Sequence, residues 1–304
     1  MTFQVRKIAQ LNGHAASILM VAKGRNAEFV FSASSDCIIA EWSLHNFQAQ
    51  NFSVKLENAA YSICYVVEKN WLLIGNSLGG LHVIDLDEKK EIKYLLHHKA
   101  AVFDIKYSIH QNVLFLSSAD GSISKTNLNE LRFEEKIQLC FQKVRKINFN
   151  SDKSLMAVAC GDCSIRIIDT ALFKELKTIP AHSLSANCVV FHPTKKILIS
   201  GGRDAHLNFY NTENYELINS IPAHNFAIYD IQFSPNNQFF ATASRDKTIK
   251  IWDAQTLELR HRIDRVKNLG HLNSVNCLFW SDFNNYLISC SDDKTLMVWD
   301  IQEI

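Results

Sequence analysis

The chain has 304 residues, 47% hydrophobic and 21% charged, with 32 Lys and Arg against 31 Asp and Glu. A net charge of +1 excludes a general electrostatic pull toward nucleic acid or an anionic membrane surface, and no apolar run approaches the roughly 18 residues of a membrane span. With only 4 Pro and no Gly/Ser-rich or single-sign stretch to mark a linker, one continuous domain over 1–304 with a large core is expected.

The N-terminal MTFQVRKIAQLNGH carries no apolar core followed by a small-residue cleavage site, so no signal peptide is read there. Within it, FQVRKIAQ (3–10) precedes His14 much as ELINSIPA (216–223) precedes His224. FSASSDCIIAEW (31–42) then opens a pattern that returns as FATASRDKTIKIWD (240–253) and LISCSDDKTLMVWD (287–300). Anchored on the residue before each terminal strand, the copies stand at Asp36, Leu78, Asp120, Asp162, Asp204, Asp246 and Asp293, at spacings of 42 five times and then 47. His14, His98, His182, His224 and His271 each lie 22 residues before their anchor, with Leu56 and Cys140 at that place in the other two copies. Six residues after the anchor stand Trp42, Ile84, Thr126, Ile168, Tyr210, Trp252 and Trp299.

Each copy reads as four short strands. In 221–263 these are IPAHNFAIYDIQFSP, NNQFFATAS, RDKTIKIWD and AQTLELRHRI, rich in Ile, Phe and Thr, alternating by two, with turn residues between them. A helical repeat would instead show apolar spacings of three and four. Four strands per unit at a period near 42 predict an all-β, seven-bladed β-propeller of four-stranded antiparallel blades. Residues 3–10 are expected to complete the last blade as its fourth strand, which removes an exposed sheet edge.

Ile-Trp-Asp at 251–253, Val-Trp-Asp at 298–300 and the Gly-His pairs 13–14 and 270–271 resemble the WD-repeat β-propeller family. The resemblance spans nearly the whole chain. Blades two to four depart from it at Leu56, Leu78, Leu116, Thr126, Cys140, Val158 and Ile168.

His14, Ser32, Asp36 and Trp42 could be taken for a catalytic triad beside an indole. The set returns as His182, Ser200, Asp204, Tyr210, as His224, Thr242, Asp246, Trp252, and as His271, Ser289, Asp293, Trp299. An enzyme needs one such set. Four copies fit a scaffold, in which a buried carboxylate is satisfied by a His, a hydroxyl and an N–H, and the resemblance implies that same blade-internal role. VACGDCSIRIIDT (158–170) holds a C-x-x-C at Cys160 and Cys163, the spacing of a redox pair or half a zinc site. No second C-x-x-C completes four ligands and Asp162 is the anchor of blade four, so the pair reads as small residues beside a hairpin turn. Eight cysteines, most in apolar surroundings, fit free thiols in a reducing, intracellular and cytoplasmic setting.

No phosphate-binding loop, dinucleotide fingerprint or metalloprotease helix is present, and no cofactor or metal is expected. KVRKINF (143–149) has too few cations for nucleic acid. The resemblance implies that one propeller face binds partners, through the places three and five after the His position and one before the anchor. Carried onto this chain, these places bring together Tyr61, Phe103, Lys143, Arg145, Arg203, Tyr229 and Arg245, with Asp292 their single acid. Aromatics and arginines dominate binding hot spots, and the excess of cations points to a protein partner with an acidic or phosphorylated segment. The expected function is a non-catalytic interaction scaffold. The rival is an enzymatic or small-molecule propeller using its channel, with Asp104 and Asp230 as inward carboxylates. The longer connection 260–271, with Arg260, Arg262, Arg265 and Lys267, is a second candidate contact that otherwise reads as a solvated charged loop.

Overall fold

The structure, a computed structural model, describes residues 3–303. Among them seven four-stranded antiparallel sheets form, each in the order first to fourth strand. Short helical turns stand only at Val67–Lys69 and Arg265–Asn268, and no described helix is long and apolar enough to cross a membrane. The fold is the expected all-β, seven-bladed propeller.

The chain divides into two compact units, Met1–Ala60 with Tyr229–Ile304, and Tyr61–Ile228. The first holds blade one (Ile18–Lys23, Phe29–Ser34, Ile38–Ser43, Ala49–Lys55), most of blade six (Ile228–Phe233, Phe239–Ser244, Ile249–Asp253, Leu259–Ile263) and blade seven (Val275–Trp280, Leu287–Ser291, Thr295–Glu303). Blade seven is completed by Phe3–Asn12, which pairs antiparallel with Thr295–Glu303 from Phe3 opposite Glu303 to Asn12 opposite Thr295. Leu11 of that strand is fully buried among Ile18, Trp42 and Ile288, and the Phe3 ring stands edge-on to Phe239 at 5.2 Å.

The second unit holds nearly all of blade two (Ala60–Val66, Trp71–Asn76, Gly80–Asp85, Lys90–Leu96), blade three (Val102–Ser108, Val113–Ser118, Ser122–Asn127, Arg132–Gln138), blade four (Val144–Phe149, Leu155–Cys160, Ser164–Asp169, Lys174–Pro180) and blade five (Ala186–Phe191, Ile197–Gly202, His206–Asn211, Leu217–Pro222). In both units the core lies between neighbouring blades: Phe115 meets Val158 and Phe173, and Phe239 and Ile251 meet Trp280 and Trp299. Second strands are buried almost throughout, while fourth strands are largely exposed.

The 42-residue marks are turn chemistry. The residue after each anchor has a left-handed backbone: Cys37, Gly79, Gly121, Cys163, Ala205, Lys247 and Lys294, with φ from 66 to 94°. In the six blades with an Asp anchor, its Oδ1 accepts the N–H two residues on, at Ile38, Ser122, Ser164, His206, Thr248 and Thr295, which closes an Asx turn. Blade two, with Leu78 in the anchor place, solves the same problem differently. Asn76 Oδ1 accepts both Leu78 N–H (3.0 Å) and Gly80 N–H (2.9 Å), and Gly79 takes φ 94° without the cost a side chain would incur there.

Candidate functional site

The repeated His, Ser and Asp side chains run into one another inside the blades. In blade one Trp42 Nε1 donates to Ser32 Oγ (2.7 Å), which lies 2.7 Å from His14 Nε2, and His14 Nδ1 lies 2.9 Å from Asp36. The run is self-consistent when Nδ1 carries the proton: indole to hydroxyl, hydroxyl to imidazole, imidazole to carboxylate. Blade seven repeats it through Trp299, Ser289, His271 and Asp293 at 2.9, 2.8 and 2.9 Å. In blade five His182 stands 3.0 Å from Asp204 and 2.8 Å from Ser200, and the Tyr210 hydroxyl donates to the Ala181 carbonyl. In blade six Trp252 donates to Thr242 at 3.0 Å, His224 is buried, and Asp246 accepts from Thr248. Blade three holds a further set. His98 meets Asp120 (3.2 Å) and, with Leu116 in the second-strand place, turns Nε2 to Ser124 (2.8 Å) on the third strand, directly opposite Leu116. The histidines of blades one, three, five and seven thus each spend both nitrogens on their own blade.

Charge in these sets follows from the geometry. Burial alone would raise the Asp120 carboxyl, but the Ser122 hydroxyl, the Lys99 N–H, His98 and Lys136 outweigh it and bring it down to about 2. For Asp293, burial is likewise outweighed, by His271, Thr295 and the Leu272 N–H, and the group is held well below the usual carboxylate range. Burial holds His98 and His182 below the ordinary imidazole value despite their Asp partners.

Asp104 and Asp230, the inward carboxylates of the enzymatic reading, are strand fasteners. Asp104 Oδ2 accepts the Ile147 N–H (2.9 Å) and Asp230 Oδ2 the Leu278 N–H (3.0 Å), each from the first strand of the next blade. Both side chains are buried.

In the Tyr61–Ile228 unit four of the predicted partner-binding residues come together. The half-buried Tyr61 and Phe103 rings stand edge to face at 5.4 Å and 87°. Over the Phe103 ring lie the Arg145 guanidinium at 5.3 Å and the Lys143 ammonium at 6.0 Å. The backbone beneath is fixed: Lys143 O accepts the Gly161 N–H (2.7 Å), and Arg145 O accepts the Ser117 hydroxyl (3.3 Å). A Cβ at Gly161 would stand 3.0 Å from Lys143 O, so the blade-four turn packs tightly under this segment. Arg203 is exposed, held by its N–H to Ser185 O (2.8 Å). Its neighbour Asn187 is spent on structure, donating to Ile228 O. Among the exposed apolar side chains that escaped the sequence reading are Phe141, at 101% of its reference exposure, Leu184 and Phe226. The available signal was a large apolar residue one or two places after the His position, where blade one carries Ala15 and Ala16.

In the other unit Tyr229 is half-buried and Arg245 exposed. Asp292, the one acid among these places, accepts from Asn276 at 2.8 Å, which also donates to Ile18 O. The 260–271 connection is more ordered than a solvated charged loop. Asp264 caps the turn Arg265–Asn268 by accepting from Lys267 N–H, Arg260 pairs with Glu303 at 2.6 Å, and Arg265 donates to Gly270 O. Outward it presents Val266 and Leu269 beside the exposed Arg262, Arg265 and Lys267.

The C-x-x-C of blade four does not act as a pair. Cys163 takes the left-handed place of the hairpin turn at φ 72°, and Cys160, fully buried at the end of the second strand, faces Cys140 instead. Cys140 and Cys160 sulfurs and an Asp162 oxygen lie within 4.8 Å of one another, the single such group among the described residues. Asp162, without a histidine, is held by Ser164 and by the Arg166 guanidinium.

The WD domain, G-beta repeat family model (WD40) matches residues 137–169, 173–211, 215–253 and 264–300. Members of that family are commonly protein-interaction scaffolds. With these matches, seven four-stranded blades and the Trp–Ser–His–Asp runs inside them, the chain belongs to the WD-repeat β-propellers.

Proposed function

We propose that this protein is a non-catalytic scaffold that docks a protein partner through an acidic or phosphorylated segment. The observation that carries the reading is the Phe103 ring, braced by Tyr61 and overlaid by Arg145 and Lys143. Cation–π contact holds both cations at the ring and lowers the entropy lost when they meet an anion, and a guanidinium presents a paired N–H fork suited to carboxylate or phosphate. Arg203 in the same unit, and Tyr229 and Arg245 in the other, extend the set. The His and Asp side chains of blades one, three, five and seven are taken up in hydrogen bonds within those blades, which favours binding over acid–base catalysis. Eight unbridged cysteines fit an intracellular, cytoplasmic protein.

An arrayed library of peptides in unmodified, acidic and phosphorylated forms tests this. Binding should favour the acidic and phosphorylated members, weaken as salt rises, and fall at least about tenfold (~1.4 kcal/mol) in Lys143→Glu/Arg145→Glu with an unchanged melting curve. Equal binding by the variant, or preference for basic peptides, overturns the reading.

A further inference from the structure

Blade four differs from the others at two linked places. The His position holds Cys140, and the second-strand place two before the anchor, Ser in blades one, three, six and seven, holds Cys160. The structure puts the two sulfurs within 4.8 Å of each other. Cys140 sits in the turn that continues into exposed Phe141, Gln142 and Lys143, and is slightly open to solvent, while Cys160 has no exposure. We propose that Cys140 and Cys160 are a reversible thiol–disulfide site, with Cys140 the thiol that reacts first and Cys160 the one that resolves it, and that its oxidant is a hydroperoxide.

The chemistry closes on the two residues. The Cys140 thiolate attacks a peroxide oxygen and breaks the O–O bond, giving a sulfenic acid and, with hydrogen peroxide and one proton, water. The Cys160 sulfur then attacks the Cys140 sulfur, forming the S–S bond and expelling the hydroxyl, which leaves as water with the Cys160 proton. Two thiols lose two electrons, and one peroxide becomes two waters. A dithiol reductant reverses the bond by exchange.

The surroundings favour this order. A hydrogen bond with the Cys160 thiol is the main cause that brings Cys140 down to about 7, so it is about half thiolate at neutral pH, while the same contact and burial push Cys160 far up. An internal contrast stands in blade seven. Cys277 and Cys290 face each other across paired strands, but both are buried and the Cys290 thiol is pushed well above the ordinary value by burial. Neither member of that pair is as open to solvent as Cys140. A metal centre fits the blade-four group less well. It offers three donors where a closed zinc site uses four, and both Asp162 oxygens are taken, one by Ser164 and the other by a guanidinium whose charge opposes a cation.

The test uses the reduced full-length chain and hydrogen peroxide at one equivalent, pH 7.5, with peptide mapping under non-reducing conditions. The expected product is a peptide pair linked through Cys140 and Cys160, loss of two of the eight titratable thiols, and full recovery with dithiothreitol. Cys160→Ser should leave a sulfenic acid on Cys140 that dimedone traps, and Cys140→Ser should abolish both products. Alkylation of Cys140 in the native chain should rise with a midpoint near pH 7. Oxidation that appears first at Cys37 or Cys163, a Cys140 sulfenic acid that never links to Cys160, or stoichiometric zinc lost on Cys140→Ser would each overturn the proposal. The wild-type map decides the matter even where a variant fails to fold.

Discussion

Trp299, Ser289, His271 and Asp293 pass one set of hydrogen bonds from strand to turn, so the carboxylate at its end keeps several buried donors satisfied. Asp293→Ala leaves His271 and the Leu272 and Thr295 N–H groups without it and should cost about 1–3 kcal/mol, read from the denaturant midpoint at constant slope. A cost below about 0.5 kcal/mol would mean water replaces the carboxylate. These residues were legible in the sequence because the same four types recur at fixed offsets. The blade-three set was half legible. His98 and Asp120 stood in register, but Ser124 lies on the opposite strand from the vacant hydroxyl place, and a strand partner cannot be read from spacing within one repeat. Cys140 with Cys160 was hidden for the same reason: the C-x-x-C drew attention to neighbours in sequence, while alternation turns Cys160 and Cys163 to different surroundings.

At the scale of the element, the turn between second and third strands decides whether a blade forms. Blade two lost its Asp but kept two satisfied N–H groups through Asn76 and a positive φ through Gly79. Asn76→Ala should therefore cost about 1–3 kcal/mol, whereas restoring the repeat with Leu78→Asp should change stability by under about 0.5 kcal/mol; thermal melts of both variants check the pair. A large gain from Leu78→Asp would show that Asn76 compensates poorly. The strand Phe3–Asn12 is the second such case. Leu11 alone contributes about 1.5–3 kcal/mol of burial, so deleting residues 1–10 and disturbing that seat should lower the melting temperature by about 5 °C or more. An unchanged melt would contradict the pairing of the termini. That pairing was legible because residues 3–10 repeat the approach to a later histidine. The order in the 260–271 connection was not, since its cap and its Glu303 partner come from local and distant residues that no periodicity marks.

For the whole molecule, pH stability follows from groups that the fold holds away from their ordinary values. His98 and His182 are lowered, so the unfolded chain binds more protons: their contribution is complete above about pH 6.5 and declines as pH falls below it. Asp36, Asp120, Asp204 and Asp293 are lowered too, and their contribution, complete above about pH 4, is lost as pH falls through their folded values. The melting temperature should fall below pH 6.5 and fall again below 4; a maximum near pH 5 would contradict the assignment. The seven-bladed architecture was legible because turn chemistry repeats every 42 residues. The partner set was legible only through the family resemblance: of its seven residues the structure gathers Tyr61, Phe103, Lys143 and Arg145 about one ring. The account's central claim, a scaffold that docks partners through these aromatic and cationic side chains, is met most directly by affinity purification with mass spectrometry on wild type and on Tyr61→Ala/Arg145→Glu/Arg245→Glu, matched by melting curve. The account predicts specific partners with the wild type that the variant loses; the same partners from both proteins would contradict it.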